Sequence, residues 1–294
     1  LKFEFFPGIF VEINAPSLSS FDAEKKVMLI FYALPNGNRI EETVGKRKNN
    51  DDEWRYEIQH IGAQTRFLRS QLKEYNIVTV YLETDVQSWP WWSSMRPDGD
   101  ILVKMAVDSV RNIFSDFEVD VVLNGHSGGG HFVFAYINMF EKIPDFIKRI
   151  VFLDSNYYYE DSLKHGNKLT EWLNASDDHH LVVVAYDDRY VEINGEIRER
   201  LRGGTFDKTR RMLANFEKSF SLSTERRRAF SDYTAFTALN GRMRIVMIDN
   251  PDKLMLHTVL VERNGFIYSI TAGTQYEEKG APFFSNRVYE RWIQ

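Results

Sequence analysis

Residues 125–130 read Gly-His-Ser-Gly-Gly-Gly, one serine with glycines on both sides, inside the run VDVVLNGHSGGGHFVFAYINMF at 119–140. A serine hydroxyl is a poor nucleophile at neutral pH; to attack a carbonyl carbon it needs a base within hydrogen-bond reach and a carboxylate to orient that base. The histidines that follow Ser127 are His131, His165, His179, His180 and His257, and Asp154, Asp187 and Asp188 each close an apolar run. Gly125-His126-Ser127-Gly128-Gly129 has the G-x-S-x-G spacing, in which a serine on a sharp turn draws neighbouring backbone so near that flanking side chains would clash. A random chain of this length contains that spacing about 0.1 times, so the spacing alone is weak. An apolar strand directly before it and a helix directly after lower the expectation by about another factor of ten. A phosphate-cradling Walker loop needs Gly-Lys-Ser/Thr, which is absent, and no G-x-G-x-x-G occurs at this turn.

The elements that would hold such a serine are legible in the apolar periodicity. Short extended segments with a turn at Pro7-Gly8 are expected over 2–13, then a buried strand within 25–38 ending in the turn Leu34-Pro35-Asn36-Gly37-Asn38. Ile58, Ile61, Phe67, Leu68 and Leu72 recur at mostly three- and four-residue intervals and predict a helix within 53–75. A strand at 76–85, a tryptophan-rich loop at 88–99, a helix at 100–114 and the strand at 119–125 follow. Beyond the serine come a helix at about 129–142 and strands at 149–155, 181–188 and 244–250. Strands apolar on both faces and alternating with helices imply an α/β, doubly wound, mostly parallel central sheet flanked by helices. A single domain over 1–294 is expected, with insertions at 156–180 and 189–243 forming a cap or lid, and with the stretch from "YDDRY" to "LRGGTF" lining the pocket beneath it. In such sheets functional groups gather where strands end, and Ser127 lies there.

From residue 25 onward the chain resembles the α/β-hydrolase superfamily, on "NGHSGGG" and the surrounding strand and helix order. The resemblance implies a serine hydrolase whose triad runs serine, acid, histidine along the chain. Ser127 would be the nucleophile and His257, beyond the last strand, the base. Asp188 in "AYDDRYV" fits the acid best, with Asp187 and Asp154 as alternatives. The resemblance also implies two oxyanion donors: Gly128, and one from Asn36, Gly37 or Asn38, although the lipase-type HGGG is missing. His126 and the cluster Trp89, Trp91 and Trp92 are candidate substrate-binding residues; a local core is the equal alternative for the tryptophans. Arg189 reads as a partner of Asp187 or as a binder of a substrate carboxylate.

Composition bounds the rest. The 294 residues include 43% apolar and 27% charged ones, the profile of an ordinary folded chain. With 37 Lys and Arg against 42 Asp and Glu there is no basic excess to hold nucleic acid. No apolar run reaches membrane-spanning length, so a soluble protein is expected. The absence of cysteine excludes disulfides, Cys-ligated zinc and a thiol nucleophile. The chain begins with Leu1, as a secreted or periplasmic chain trimmed at its N-terminus would, and a cytoplasmic origin is also compatible. Ester hydrolysis through an acyl-enzyme, on a small-molecule or acylated carbohydrate substrate and without cofactor or metal, is the leading expectation. A serine peptidase or amidase and a non-catalytic binding protein of the same fold are the alternatives.

Overall fold

The computed structural model describes residues 1–5 and 7–294; Phe6, within the extended segment expected over 2–13, lies outside the described residues. The first elements are β1 (Lys2–Phe5), β2 (Ile9–Asn14), β3 (Lys26–Ala33), α1 (Ile40–Val44), α2 (Ile61–Gln71), β4 (Tyr75–Thr84), α3 (Trp89–Ser94) and α4 (Gly99–Asn112). Next come β5 (Val119–His126), α5 (Gly130–Asn138), β6 (Ile147–Leu153), α6 (His165–Ala175), β7 (His180–Tyr186), β8 (Tyr190–Ile193) and β9 (Glu196–Glu199). The last are α7 (Thr205–Phe216), β10 (Ser223–Arg227), β11 (Tyr233–Ala238), β12 (Met243–Ile248) and α8 (Phe266–Thr271).

Ten strands form one sheet in the order β1-β2-β4-β3-β5-β6-β7-β12-β11-β10. The central run from β4 to β12 is parallel, and antiparallel strands close both edges. On β3, Val27, Leu29, Phe31 and Ala33 enter the core shared with α4, α5, α6 and α7. Ile30 and Tyr32, in the alternate positions, enter the core shared with α2 and α8. That period of two, apolar on both faces, is what a strand covered on both sides requires. None of the helices among the described residues is long and apolar enough to cross a membrane.

Two expectations need correction. The helix expected over 53–75 is broken: a short 3₁₀ turn over Trp54–Glu57 ends first, and His60, with a left-handed φ of 47°, precedes α2, which begins at Ile61. The insertion 189–243 does not form a single lid. Its strand β11 pairs onto β12 and β10 onto β11, extending the main sheet, and Tyr233 and Ala235 of β11 bury their side chains in the same core. Its helix α7 lies against β7 and β12. Only the hairpin β8–β9 stands as a separate two-stranded sheet.

Candidate active site

Ser127 follows β5 directly, with φ 53°, a left-handed conformation that a non-glycine residue adopts at a cost. The glycines around it answer to close approach. A side chain at Gly128 would collide with the side chain of Asn36, one at Gly129 with the carbonyl of Ala33, and one at Gly130 with the carbonyl of Ser155. The turn is thus wedged between the ends of β3 and β6, and the Ser155 hydroxyl donates to the Gly125 carbonyl at 2.8 Å to tie β5 to β6.

The carboxylate that meets His257 is Asp154. Its Oδ2 lies 2.5 Å from His257 Nδ1, and it is fully buried at the end of β6. Asp154 also takes a left-handed φ of 44°, and its N–H donates to the Val184 carbonyl at 2.7 Å. The second oxygen, Oδ1, accepts from the Thr205 hydroxyl. The Asp–His contact therefore joins the ends of two strands separated by β7 in the sheet, β6 and the segment after β12.

Asp188, the acid expected from the sequence, is not bonded to His257. Its carboxylate turns to the start of α7 and accepts the N–H groups of Thr205 (3.2 Å) and Phe206 (3.4 Å), with the exposed Arg200 guanidinium 3.7 Å away. The physical reason lies in the helix: two free amides at an N-terminus are strong partners for a buried carboxylate. Burial, reinforced by the charge of Asp154, pushes the Asp188 carboxyl up to about 6. Asp187 is also excluded from the histidine, since Arg189 holds it in a two-pronged ion pair at 2.8 and 2.6 Å. Arg189 is accordingly a partner of Asp187 and lies over the Phe206 ring.

His126 is fully buried, so it cannot touch a substrate as the sequence suggested. Its Nε2 donates to the His257 carbonyl at 2.9 Å, and its ring lies 4.7 Å from the His257 ring. Burial pushes His126 well below the usual histidine range, leaving a neutral ring that anchors the His257 loop beside the serine turn. The tryptophan cluster is also corrected. Trp89 and Trp92 are 1% and 0% exposed and edge-to-face with each other, with Trp89 against Phe132, because α3 turns the two rings inward together; Trp91 alone of the three is exposed, at 58%. Two of the other histidines are structural: His179 stacks on Trp172 and bonds its carbonyl, and His165 bonds Asn138. His131 lies against Tyr158, and burial pushes it down to about 4.

At the turn after β3, the Gly37 N–H donates to the Gln87 carbonyl at 2.9 Å and is therefore committed, which removes Gly37 as an oxyanion donor. The Asn38 N–H closes the turn on the Pro35 carbonyl at 3.4 Å. Among the described residues the Asn36 N–H has no such partner, and its side chain lies against Gly128. Next to His257 opens a cavity of about 330 Å³, walled by Tyr157, Tyr186, Asp188 and Met255 and by Arg198 and Arg200 of the β8–β9 hairpin. Tyr186, Asp188, Arg198 and Arg200 fall in the stretch from "YDDRY" to "LRGGTF" expected to line the pocket, whereas Tyr157 lies outside it; Thr205 falls in that stretch without a role assigned to it. For Thr205 the signal was present, since Gly203-Gly204-Thr205 precedes an amphipathic run and reads as a helix start.

No family model and no curated protein sequence matches the chain. Among solved structures, a thermostable esterase is similar over 92% of this chain and 62% of its own length, with a TM-score of 0.53 and 11% identity. The siderophore hydrolase EstA from Aspergillus nidulans is similar over 89% of this chain and 90% of its own, with a TM-score of 0.43 and 14% identity. Esterase 2 of Thermogutta terrifontis is similar over 82% and 78%, with a TM-score of 0.40 and 12% identity. This chain thus spans about 62% of the length of the thermostable esterase. At 11% identity the likeness to the thermostable esterase is one of fold, and with the sheet order and the strand–serine–helix turn it identifies the chain as having the α/β-hydrolase fold.

Proposed function

We propose that the chain is a serine hydrolase that cleaves a carboxylic ester through an acyl-enzyme. The observation that carries this reading is the 2.5 Å contact between His257 Nδ1 and a fully buried Asp154, together with a serine held at positive φ directly after His126, whose ring lies 4.7 Å from the His257 ring. That contact leaves His257 Nε2, on the far side of the ring from the acid, to serve as the base, and the contacts of His257 with His126, the residue before Ser127, support that role.

In this mechanism Ser127 Oγ bonds to the ester carbonyl carbon while its proton passes to His257 Nε2. The charge on the carbonyl oxygen is met by the N–H groups of Gly128 and Asn36. Collapse breaks the carbon–alcohol oxygen bond, and the leaving alcohol takes the proton from His257. Water then repeats the sequence on the acyl-enzyme, giving its proton to His257, and Ser127 leaves with that proton restored. Asp154 orients the imidazole through Nδ1 and stabilises the imidazolium.

The cavity beside His257 is the natural seat for one side of the ester, with Tyr157 and Tyr186 as its aromatic walls. An acylated carbohydrate loses its main support, because two of the three tryptophan rings that suggested it are core. The likeness in fold to a thermostable esterase is in keeping with an ester substrate.

The test is hydrolysis of short-chain p-nitrophenyl esters by wild type and Ser127→Ala, with fluorophosphonate labelling of both. Turnover is expected to fall by at least about 10³-fold in Ser127→Ala, and the label should attach to Ser127 alone. Labelling without turnover would move amides and bulky esters forward as substrates. A wild type that neither turns over nor labels would overturn the hydrolase reading.

A further inference from the structure

We propose that Thr205 is a positioning residue for the Asp154–His257 pair, and that Asp188 holds Thr205 in place from the opposite side. The inference rests on the reading of Ser127, His257 and Asp154 as the hydrolytic machinery. Thr205 is the first residue of α7 and is fully buried. Its hydroxyl donates to Asp154 Oδ1, the oxygen that His257 does not use, and its own N–H donates to Asp188 Oδ2 at 3.2 Å. One residue thus joins two of the three strand-end acids weighed from the sequence, Asp154 and Asp188.

The arrangement has a direct physical consequence. A carboxylate bonded through Oδ2 alone can still swing about its last torsion, whereas a donor on each oxygen fixes its plane. Threonine suits the task, because its branched side chain has few χ1 options at a helix start and its hydroxyl direction is set by the helix itself. The helix start is in turn held by Asp188, which takes the amides of both Thr205 and Phe206. Gly204 completes the joint: a side chain there would run into the Asp188 carboxylate. Removing the Thr205 hydroxyl would leave a buried oxygen of Asp154 without its donor.

The experiment compares Thr205→Val, which keeps the shape and loses the hydroxyl, with Thr205→Ser, which keeps the hydroxyl. Thr205→Val is expected to lower kcat by about tenfold or more with KM within about twofold, and Thr205→Ser to restore most of it. The downfield proton signal of His257 Nδ1–H should move in Thr205→Val and return in Thr205→Ser. Asp188→Ala, which removes the acceptor of the Thr205 N–H, should move the same signal in the same direction.

The signal is also read in the Ser127→Ala background, where it needs no turnover, and thermal melts identify any variant that fails to fold. Folded Thr205→Val with wild-type kcat and an unmoved signal would overturn the proposal, and an unmoved signal in folded Asp188→Ala would overturn the part assigned to Asp188. A signal that responds to Thr205 in a chain that neither turns over an ester nor takes the fluorophosphonate label would instead sink the hydrolase reading and leave the positioning contact standing.

Discussion

Two aspartates compete for one role at the carboxyl edge of the sheet, and a single contact separates them. Asp154 touches His257 while Asp188 caps α7, so their amide variants should behave differently. Asp154→Asn is expected to lower kcat on a p-nitrophenyl ester by about 10³- to 10⁴-fold, because the amide presents the wrong partner to the imidazole N–H and no longer stabilises the imidazolium. Asp188→Asn keeps an oxygen facing the α7 amides and is expected to change kcat only a few-fold. Steady-state kinetics of the two variants side by side decide the matter, and the reverse ranking would return the acid's role to Asp188. The glycines flanking Ser127 belong to the same scale, since each answers to a specific neighbouring atom rather than to looseness of the loop.

At the scale of elements, the serine turn depends on α5 starting hard against the end of β6. Gly130 has helical φ, so alanine there meets no backbone penalty, and any loss must come from contact with the Ser155 carbonyl. Gly130→Ala is therefore expected to destabilise the fold by about 1–3 kcal/mol, read as a lower urea midpoint with an unchanged slope. An unchanged midpoint would mean that β6 and α5 have more room than the contact implies. The same tight joint explains why Asp154, the residue after β6, sits in a left-handed conformation: Ser155 and Asp154 both bond to neighbouring strands and leave the backbone little choice.

The whole molecule registers Asp188 through its stability. Folding raises this carboxyl from 3.8 to about 6, chiefly through burial and then through the charge of Asp154. The folded protein therefore holds the proton more tightly than the unfolded chain, and the stability linked to this group is greatest below about pH 4. It falls as pH rises through the window from about 4 to 6 and is lowest above it, a change of about 2–3 kcal/mol. Asp188→Asn lacks this titration, so relative to wild type it should gain about that much stability between pH 4 and pH 8. Urea unfolding of both proteins at the two pH values measures the difference; a constant gap between them would show that Asp188 carries no such charge penalty.

The layered α/β fold and the strand–serine–helix turn were legible in the linear chain, and so was His257 as the histidine beyond the last parallel strand, which the structure brings against Asp154. Each depends on short-range pattern: strands apolar on both faces, helices at three- and four-residue intervals, glycines crowded about one serine, and a histidine beyond the last parallel strand. The acid was not decided there, because Asp154 and Asp188 both follow parallel strands and look alike along the chain. Asp154 and His257 are 103 positions apart, and their meeting depends on where α7 places its free amides, which draw Asp188 away. The same holds for the tryptophan loop, whose composition suits either a binding surface or a core; the docking of α3 sets Trp89 against Phe132 and Trp92 against Trp89. It holds too for β10 and β11, whose place in the sheet depends on an edge that only β12 creates. Local sterics and periodicity act within a few residues and can be read in order, whereas the choice among chemically equivalent partners is made by packing between distant segments.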